Sequence, residues 1–341
     1  MDLDVFLKGV GKVKAVLMKK FGEADVLHIG EHPDPVMGDG ELLVRVKATA
    51  LNRADLLQRR GAYPPPKGAP DILGLEMAGE VVKVGPDVTG WQSGDRVCAL
   101  LPGGGYAEYV SLPSGMAMPL PDSFSYEQGA AIPEVFLTAY SNLVWLGGLK
   151  PGYQVLVHAG ASGVGTAAIQ LIREFGAESI VTAGSQEKLN RCQELGARAG
   201  WNYKEGSFAP WVKEQTKGKG VELILDFVGA PYFDDNVKSL TVDGRLIIIG
   251  TMGGAKVDGV NLSDILRRRL QVIGTALRSR SVEEKVKLTR EFSEFALPRF
   301  ADGRLQPIVD SVFDWQDVVE AHRYMESNAN IGKIVLKVGE S

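Results

Sequence analysis

Short apolar runs cut by glycine, proline and aspartate fill the first third of the chain. KAVLM (14–18), ELLVRVKATAL (41–51), EMAGEVVKVG (76–85), DRVCALL (95–101) and AEYVSL (107–112) alternate in part, as short strands of a compact, barrel-like β unit do. Between them, RRGAYPPPKGAPDILG (59–74) is too rich in Pro and Gly for either regular element. It reads as a surface loop, where binding groups collect. A helical connector over roughly 125–146 follows.

The rhythm changes at KPGYQ (150–154), after which strand-like and helix-like runs alternate. QVLVHA precedes VGTAAIQLIREFG, SIVTAG precedes QEKLNRCQELG, and GWNY precedes FAPWVKEQTKG. LILDFVG then precedes PYFDDNVKSL, GRLIIIG precedes NLSDILRRR, and LQVIGTA closes the series. Strands separated by helices of this length predict a doubly wound parallel sheet of Rossmann topology, because parallel neighbours need long crossovers. The tail PIVDSVFDWQDVVEAHRYMESN (307–328) and the strand GKIVLKV (332–338) return to the earlier pattern. They are expected to complete the first unit, which makes the parallel-sheet unit an insertion.

A length of 341 residues exceeds the roughly 250–300 at which single cores stop growing, so two domains are expected. Hydrophobic residues at 45%, charged residues at 23% and 41 glycines fit an α/β protein with many tight turns. A net charge of −4 supplies no basic field for nucleic acid. Cys98 and Cys192 stand apart, which argues against a disulfide framework and a Cys-rich zinc lobe and suits a reducing compartment. His28, His32, His158 and His322 lack a zinc-type pairing, since Gly30 and Pro33 oppose a helix at the closest two. No metal is expected. No apolar run reaches the roughly 18 residues of a membrane span, and the opening MDLDVFLKGVGK reads as an extension before the first strand. The expected location is the cytoplasm.

HAGASGVG (158–165) joins the first strand of the alternating series to its first helix. Glycines at such a turn let backbone approach a pyrophosphate, which then sits on the free amides of the helix N-terminus. Ala159, Gly160, Ala161, Ser162, Gly163, Val164 and Gly165 are therefore candidate cofactor contacts, although the spacing departs from G-x-G-x-x-G. The bland alternative is a glycine-rich turn packed against the sheet. About 20 residues on, an NAD site places Asp or Glu at the second strand end. This chain has Ala183, Gly184 and Ser185 there, with Lys188 one turn into the next helix. A hydroxyl and an ammonium without a carboxylate suit a 2′-phosphate and predict NADPH. Lys188 is otherwise an ordinary solvated helix residue.

The segments ILGLEMAGEVVKVG and GGGYAEYV, with K-P-G-x-x-V-L-V before the loop, resemble the medium-chain dehydrogenase/reductase superfamily. ALNRADLLQRRGAYPPP, LLPGGGYAEYV, AAIPEVFLTAY, HAGASGVGTAAIQL, VTAGSQEKL, LDFVG and NIGKIVL are similar to its zinc-free, zeta-crystallin type quinone oxidoreductases. The resemblance runs from Lys14 almost to the C-terminus. It implies a GroES-like β-barrel catalytic domain at 1–135 with 300–341, and a Rossmann NADPH-binding domain at 136–299. Where the zinc branch has Cys and His, this chain has Asn52 and Leu75, the latter before Glu76, and the structural-zinc lobe is missing. Ser162 replaces a glycine of the usual A-A-A-G-G-V-G loop.

Hydride transfer needs an oriented acceptor, and without zinc the charge growing on its oxygen needs hydrogen-bond donors. Tyr63, in RGAYPPP, is the leading candidate, stiffened by Pro64 to Pro66; the resemblance puts it in the cofactor and substrate cleft, and its plain alternative is a loop tyrosine covering apolar surface. Ser162 would orient the nicotinamide amide or join Tyr63, or only satisfy a backbone group. Asn52 offers an amide donor, or is a buried structural amide. Matching positions imply further cofactor contacts at Tyr203, Val228, Gly229, Gly250, Met252, Gly253, Leu277, Arg278 and Asn330, though a glycine ending a strand is often only a turn residue.

The expected activity is NADPH-dependent, zinc-independent reduction of a small quinone or enone. The alternatives are an enoyl-thioester or alkenal reductase and a non-enzymatic NADPH-binding protein. The resemblance also implies a homodimer, with GRLIIIG suggested as the edge strand through which it forms.

Overall fold

The computed structural model describes residues 11–339, so most of the extension expected over 1–13 lies outside the described residues. Chain order begins β1 (Lys12–Met18), β2 (Leu27–Pro33), β3 (Glu41–Ala50), α1 (Arg53–Arg59), β4 (Glu76–Val84), β5 (Arg96–Leu100), β6 (Tyr109–Pro113), β7 (Ala117–Pro119), α2 (Tyr126–Ala130) and α3 (Pro133–Tyr140). It continues β8 (Gln154–Val157), α4 (Gly163–Glu174), β9 (Glu178–Ala183), α5 (Gln186–Glu194), β10 (Ala199–Asn202), α6 (Ala209–Gln215), β11 (Val221–Asp226), α7 (Phe233–Ser239), β12 (Leu240–Ile248), α8 (Leu262–Arg268) and β13 (Gln271–Gly274). It ends with α9 (Val282–Ala301), β14 (Val309–Asp314), α10 (Val318–Glu326) and β15 (Lys333–Lys337). Two compact units result: one takes the residues up to 137 and from 278 onward, the other residues 138–277.

In the second unit six strands run parallel in the order β10-β9-β8-β11-β12-β13. The order reverses between β8 and β11, which is where a doubly wound sheet opens a crevice at the carboxyl ends of its strands. Buried Leu156, Ile180, Val221, Ile224 and Leu246 of the sheet pack with Phe208, Val212 and Val237 of the helical layer. Each such side chain contributes roughly 1.5–3 kcal/mol on leaving water. Ala167 and Ala168 of α4 are buried, so a small-residue face lies on the sheet. GRLIIIG falls in β12, between β11 and β13, and is not an edge; its apolar run reflects burial on both sides, and β10 and β13 are the edges.

In the first unit β14-β15-β3-β4-β5-β7 form one sheet with β6 paired to β3, and β1 pairs β2 separately. The C-terminal strand β15 runs antiparallel to β3, so the tail completes this unit. Helix α9 also belongs to this unit, whereas the sequence boundary at 299 had assigned it to the other. The cause is its apolar stripe: Leu288, Phe292, Ala296 and Phe300 are buried, with Phe300 packed on Phe136 at 5.2 Å and Phe124 at 5.7 Å between ring centres. No helix among the described residues is long and apolar enough to cross a membrane.

Candidate functional site

The loop between β8 and α4 is built by glycine where no side chain fits. A Cβ on Gly165 would lie 2.5 Å from the carbonyl oxygens of Ala159 and Gly160, and one on Gly160 would lie 2.8 Å from Val181 Cβ. Ala159 takes a left-handed φ of 49°, and Ala161 is buried. Ser162 is the N-cap of α4: its hydroxyl accepts from Gly165 N at 3.1 Å, and its carbonyl accepts from Thr166 N at 2.8 Å. The first-turn amides of Gly163 and Val164 bond to no described residue. Two free amides at a helix start, floored by glycines that admit no Cβ, fit a dinucleotide pyrophosphate.

At the end of β9, Gly184 lies under Tyr203, whose hydroxyl would be 2.5 Å from a Cβ there. Ser185 caps α5 by accepting from Lys188 N at 3.3 Å, which sets Lys188 one turn into that helix and part-exposed. Its ammonium favours the thiolate of Cys192, but burial dominates and pushes that thiol up to about 12. Glu187 is exposed. Beyond β11, Gly229 takes φ 85°, and a Cβ there would lie 2.6 Å from Gly254 O, so a side chain would meet backbone. Gly250 crowds Phe227 O, Gly253 N donates to Val228 O at 2.8 Å, and Met252 is exposed. Leu277 is buried three residues after β13. Most of the candidates of this unit thus gather at the carboxyl ends of β8, β9, β10, β11 and β12.

A polar chain beneath the loop escaped the sequence reading, which had weighed His158 only as a metal ligand. Thr182 donates to His158 Nδ1 at 2.9 Å, His158 Nε2 donates to Asn236 Oδ1 at 2.7 Å, and Asn236 Nδ2 donates to Asp226 Oδ2 at 3.1 Å. The tautomer follows from these partners. Asp226 in turn accepts from the amides of Val228 at 2.7 Å and Gly229 at 3.1 Å, which shapes that turn. Burial drives the His158 pKa down to about 4, so the ring is a neutral tie between β8, β9 and α7. Burial raises Asp226, against the amides that hold its charge.

In the first unit, Asn52 precedes α1 with its amide fully used. Nδ2 donates to Glu76 Oε1 at 2.8 Å and to Ala50 O at 3.3 Å, and Oδ1 accepts from Lys333 Nζ at 2.7 Å. Lys333 also pairs with Glu76 Oε1 at 2.7 Å, both side chains being buried. Leu75, beside them, is buried. No three His, Cys, Asp or Glu side chains cluster for a metal among the described residues. The sequence reading missed Glu76 and Lys333 as partners, although Glu76 follows Leu75 and Lys333 lies within the quoted NIGKIVL motif.

Tyr63, on its proline-rich loop, is part-buried with Arg278 stacked over the ring at 5.4 Å. Arg278 is fixed from behind: Nε and Nη2 donate to Pro102 O at 2.9 and 2.7 Å, and Nη2 donates to Gln58 Oε1 at 2.8 Å. Its Nη1 is buried without a partner among the described residues. Burial raises the Tyr63 phenol, as does the nearby Glu134 carboxylate, while Arg278 lowers it. Asp55 accepts from the amides of Asn52 at 2.8 Å and Gly74 at 3.0 Å, yet burial pushes it up to about 6. Asn330 donates to Gly332 O at 2.8 Å within the turn before β15.

A GroES-like β unit and a doubly wound parallel sheet define a two-domain oxidoreductase. Residues 38–122 match the alcohol dehydrogenase GroES-like domain, and residues 163–294 match the zinc-binding dehydrogenase family. The chain is 29% identical to human quinone oxidoreductase, covering 95% of this chain and 97% of that one. It is 30% identical to the rat synaptic vesicle membrane protein VAT-1 homolog, over 96% and 84%. Among solved structures, an NAD-dependent alcohol dehydrogenase is 35% identical with a TM-score of 0.84, covering 96% of this chain and all of the other. A mycobacterial protein complexed with NADPH is 29% identical with a TM-score of 0.86, over 95% and 100%. The CurK enoyl reductase is 28% identical with a TM-score of 0.85, over 96% and 100%. The chain belongs to the medium-chain dehydrogenase/reductase superfamily and is an oxidoreductase of that type.

Proposed function

We propose that the chain catalyses the NADPH-dependent, zinc-independent reduction of small quinones or related enones. The observation that carries this is the Lys333 ammonium held by Asn52, at one ligand position of the zinc branch, and by Glu76, the residue after the other such position at Leu75. A cation already fills that donor set, so polarising an acceptor oxygen falls to a hydrogen-bond donor, and Tyr63 is the candidate. Its raised pKa keeps the phenol protonated at neutral pH, and Arg278 over the ring stabilises charge that develops on it. Asn52 holds the Lys333 cation, and the Ser162 hydroxyl, with its own proton still to donate, serves the acceptor side.

NADPH is favoured over NADH by Ser185 and Lys188 at a strand end without a carboxylate. A bound dinucleotide would supply the hydride from its nicotinamide. The loop from Ala159 to Gly165 would hold its pyrophosphate, with Gly184, Tyr203, Val228, Gly229, Gly250, Met252, Gly253, Leu277, Arg278 and Asn330 as further contacts. Exposed Leu262 and Leu266 of α8 and Val272 of edge strand β13 support a homodimer through that side of the sheet. The protein is expected in the cytoplasm.

The test is NADPH oxidation with small quinones, 2-enals and enoyl-CoA, with and without chelator. Quinone turnover should survive chelation and fall about 100-fold in Tyr63→Phe, the lower end of what a positioned proton donor contributes. Turnover of enoyl-CoA alone would overturn the quinone reading, and unchanged turnover in Tyr63→Phe would remove Tyr63 from the chemistry.

A further inference from the structure

The cation over the Tyr63 ring is one of two that the first unit buries without an ion pair. Arg278 and Lys285 of α9 are each only 7% exposed, and such residues are seldom buried so far unless a carboxylate pairs with them. The Lys285 ammonium donates to Arg278 O at 3.1 Å and makes no other hydrogen bond or ion pair among the described residues. Arg278 gives Nε and Nη2 to Pro102 O and Nη2 to Gln58 Oε1, and Gln58 Nε2 is itself held by Asp71 O at 3.0 Å, so the guanidinium is fixed in orientation. Its Nη1 is buried with no partner among the described residues. Burial lowers the pKa of both groups. Asp55, Tyr63 and Glu134 raise Arg278, and Glu134 raises Lys285, which Arg278 lowers; neither carboxylate forms an ion pair with either cation. Two buried positive charges with an undonated N–H cost stability as they stand, and an anion set against them would offset that cost.

We propose that Arg278 and Lys285 form an anion subsite of the acceptor site, which selects a quinone or enone carrying a carboxylate. The proposal deepens the reduction inferred above and rests on it for the identity of the acceptor. Arg278 Nη1 donates to the carboxylate in a charge-assisted hydrogen bond, and Lys285 supplies the second charge. Stacking of the guanidinium 5.4 Å from the Tyr63 ring centre sets this N–H beside the phenol that serves the acceptor oxygen, so one small molecule can meet both. A coenzyme phosphate fits less well. The candidates for phosphate are the start of α4 and Lys188, in the other unit, whereas Gln58, Pro102 and Tyr63 belong to the same unit as Arg278. A carboxylate keeps its charge throughout the hydride step, so the subsite contributes to binding and is read in KM more than in kcat.

Binding and turnover of the full chain test this separately. 2-Naphthoate and 2-naphthamide, which match a naphthoquinone in size and are not hydride acceptors, are titrated with and without NADP+. Wild type should bind the naphthoate about tenfold more tightly, the scale of one charge-assisted hydrogen bond, and Arg278→Gln and Lys285→Met should each remove most of that preference. In assays with NADPH, the KM ratio of methyl 1,4-naphthoquinone-2-carboxylate to the free acid should fall about tenfold from wild type to either variant. A naphthoate preference that stays in both variants, or is absent from wild type, overturns the subsite and leaves the reduction standing. A preference abolished by NADP+ assigns the two cations to a coenzyme phosphate and also overturns the proposal. Wild type that prefers the naphthoate yet reduces neither quinones nor enones overturns the reduction and keeps the anion subsite. Should the variants not fold, the wild-type titration decides, and only selectivity that survives NADP+ supports the subsite.

Discussion

Lys333 Nζ and Glu76 Oε1 lie 2.7 Å apart with both side chains almost wholly out of solvent, and Asn52 bonds to each of them. A buried pair of this kind stabilises little over an apolar pair, but removing one partner strands the other charge. Lys333→Met should therefore cost about 3–5 kcal/mol in urea unfolding. Glu76→Gln combined with Lys333→Met should cost less than the two single changes summed, because neither charge is left alone. Additive losses would show that the pair does not couple.

The alternation of the second unit was readable because apolar strand runs alternate with helical ones, and two of those helices open on a serine cap, Ser162 before α4 and Ser185 before α5. The order of strands within the sheet was not. GRLIIIG carries the apolar run of any doubly covered strand, and nothing local says that β13 lies outside it. Strand β2, LHIGEHP, was hidden by Gly30 and Pro33. Helix α9 had a visible start in the capping box of Ser281 and Glu284, but its unit depends on which aromatic rings receive Phe292 and Phe300. Of the candidate site residues, Tyr63 and the glycine loop stand out by composition alone. The role of Asn52 did not, since its partner Lys333 is 281 positions away.

Ser162 performs a structural task that can be separated from any chemical one. Its hydroxyl accepts from Gly165 N, so Ser162→Ala should cost about 1 kcal/mol in thermal or urea unfolding, and Ser162→Gly only a few tenths. If the hydroxyl also serves the acceptor, quinone turnover should fall alike in the two variants. Turnover that tracked stability, with the glycine variant active, would confine Ser162 to capping.

Lys188 is expected to read the 2′-phosphate from the first turn of α5. A charge-assisted hydrogen bond of about 1.5 kcal/mol predicts that Lys188→Ala weakens NADPH binding roughly tenfold or more. NADH affinity should change little, because the ammonium faces no charge on a ribose 2′-hydroxyl. Titrations of both coenzymes against wild type and variant decide the matter, and parallel losses would place Lys188 outside the phosphate pocket.

His158 gives the second unit an acid-sensitive tie. The ring is buried and neutral, with its pKa down at about 4 from the ordinary value of 6.5. A base whose folded pKa lies below its unfolded one binds more protons when unfolded, so its contribution is present above pH 6.5 and is lost as pH falls toward 4. The full loss is about 3 kcal/mol. His158→Gln removes that titration, along with the geometry linking Thr182 to Asn236, and should be the less stable protein at neutral pH by about 1–3 kcal/mol. Asp226, raised by burial, titrates in both proteins and largely cancels from the comparison. Urea unfolding of both proteins at several pH values should therefore show the gap closing as pH falls from 6.5 toward 4. A gap that stays constant would mean that His158 charges in the folded protein as readily as in the unfolded chain.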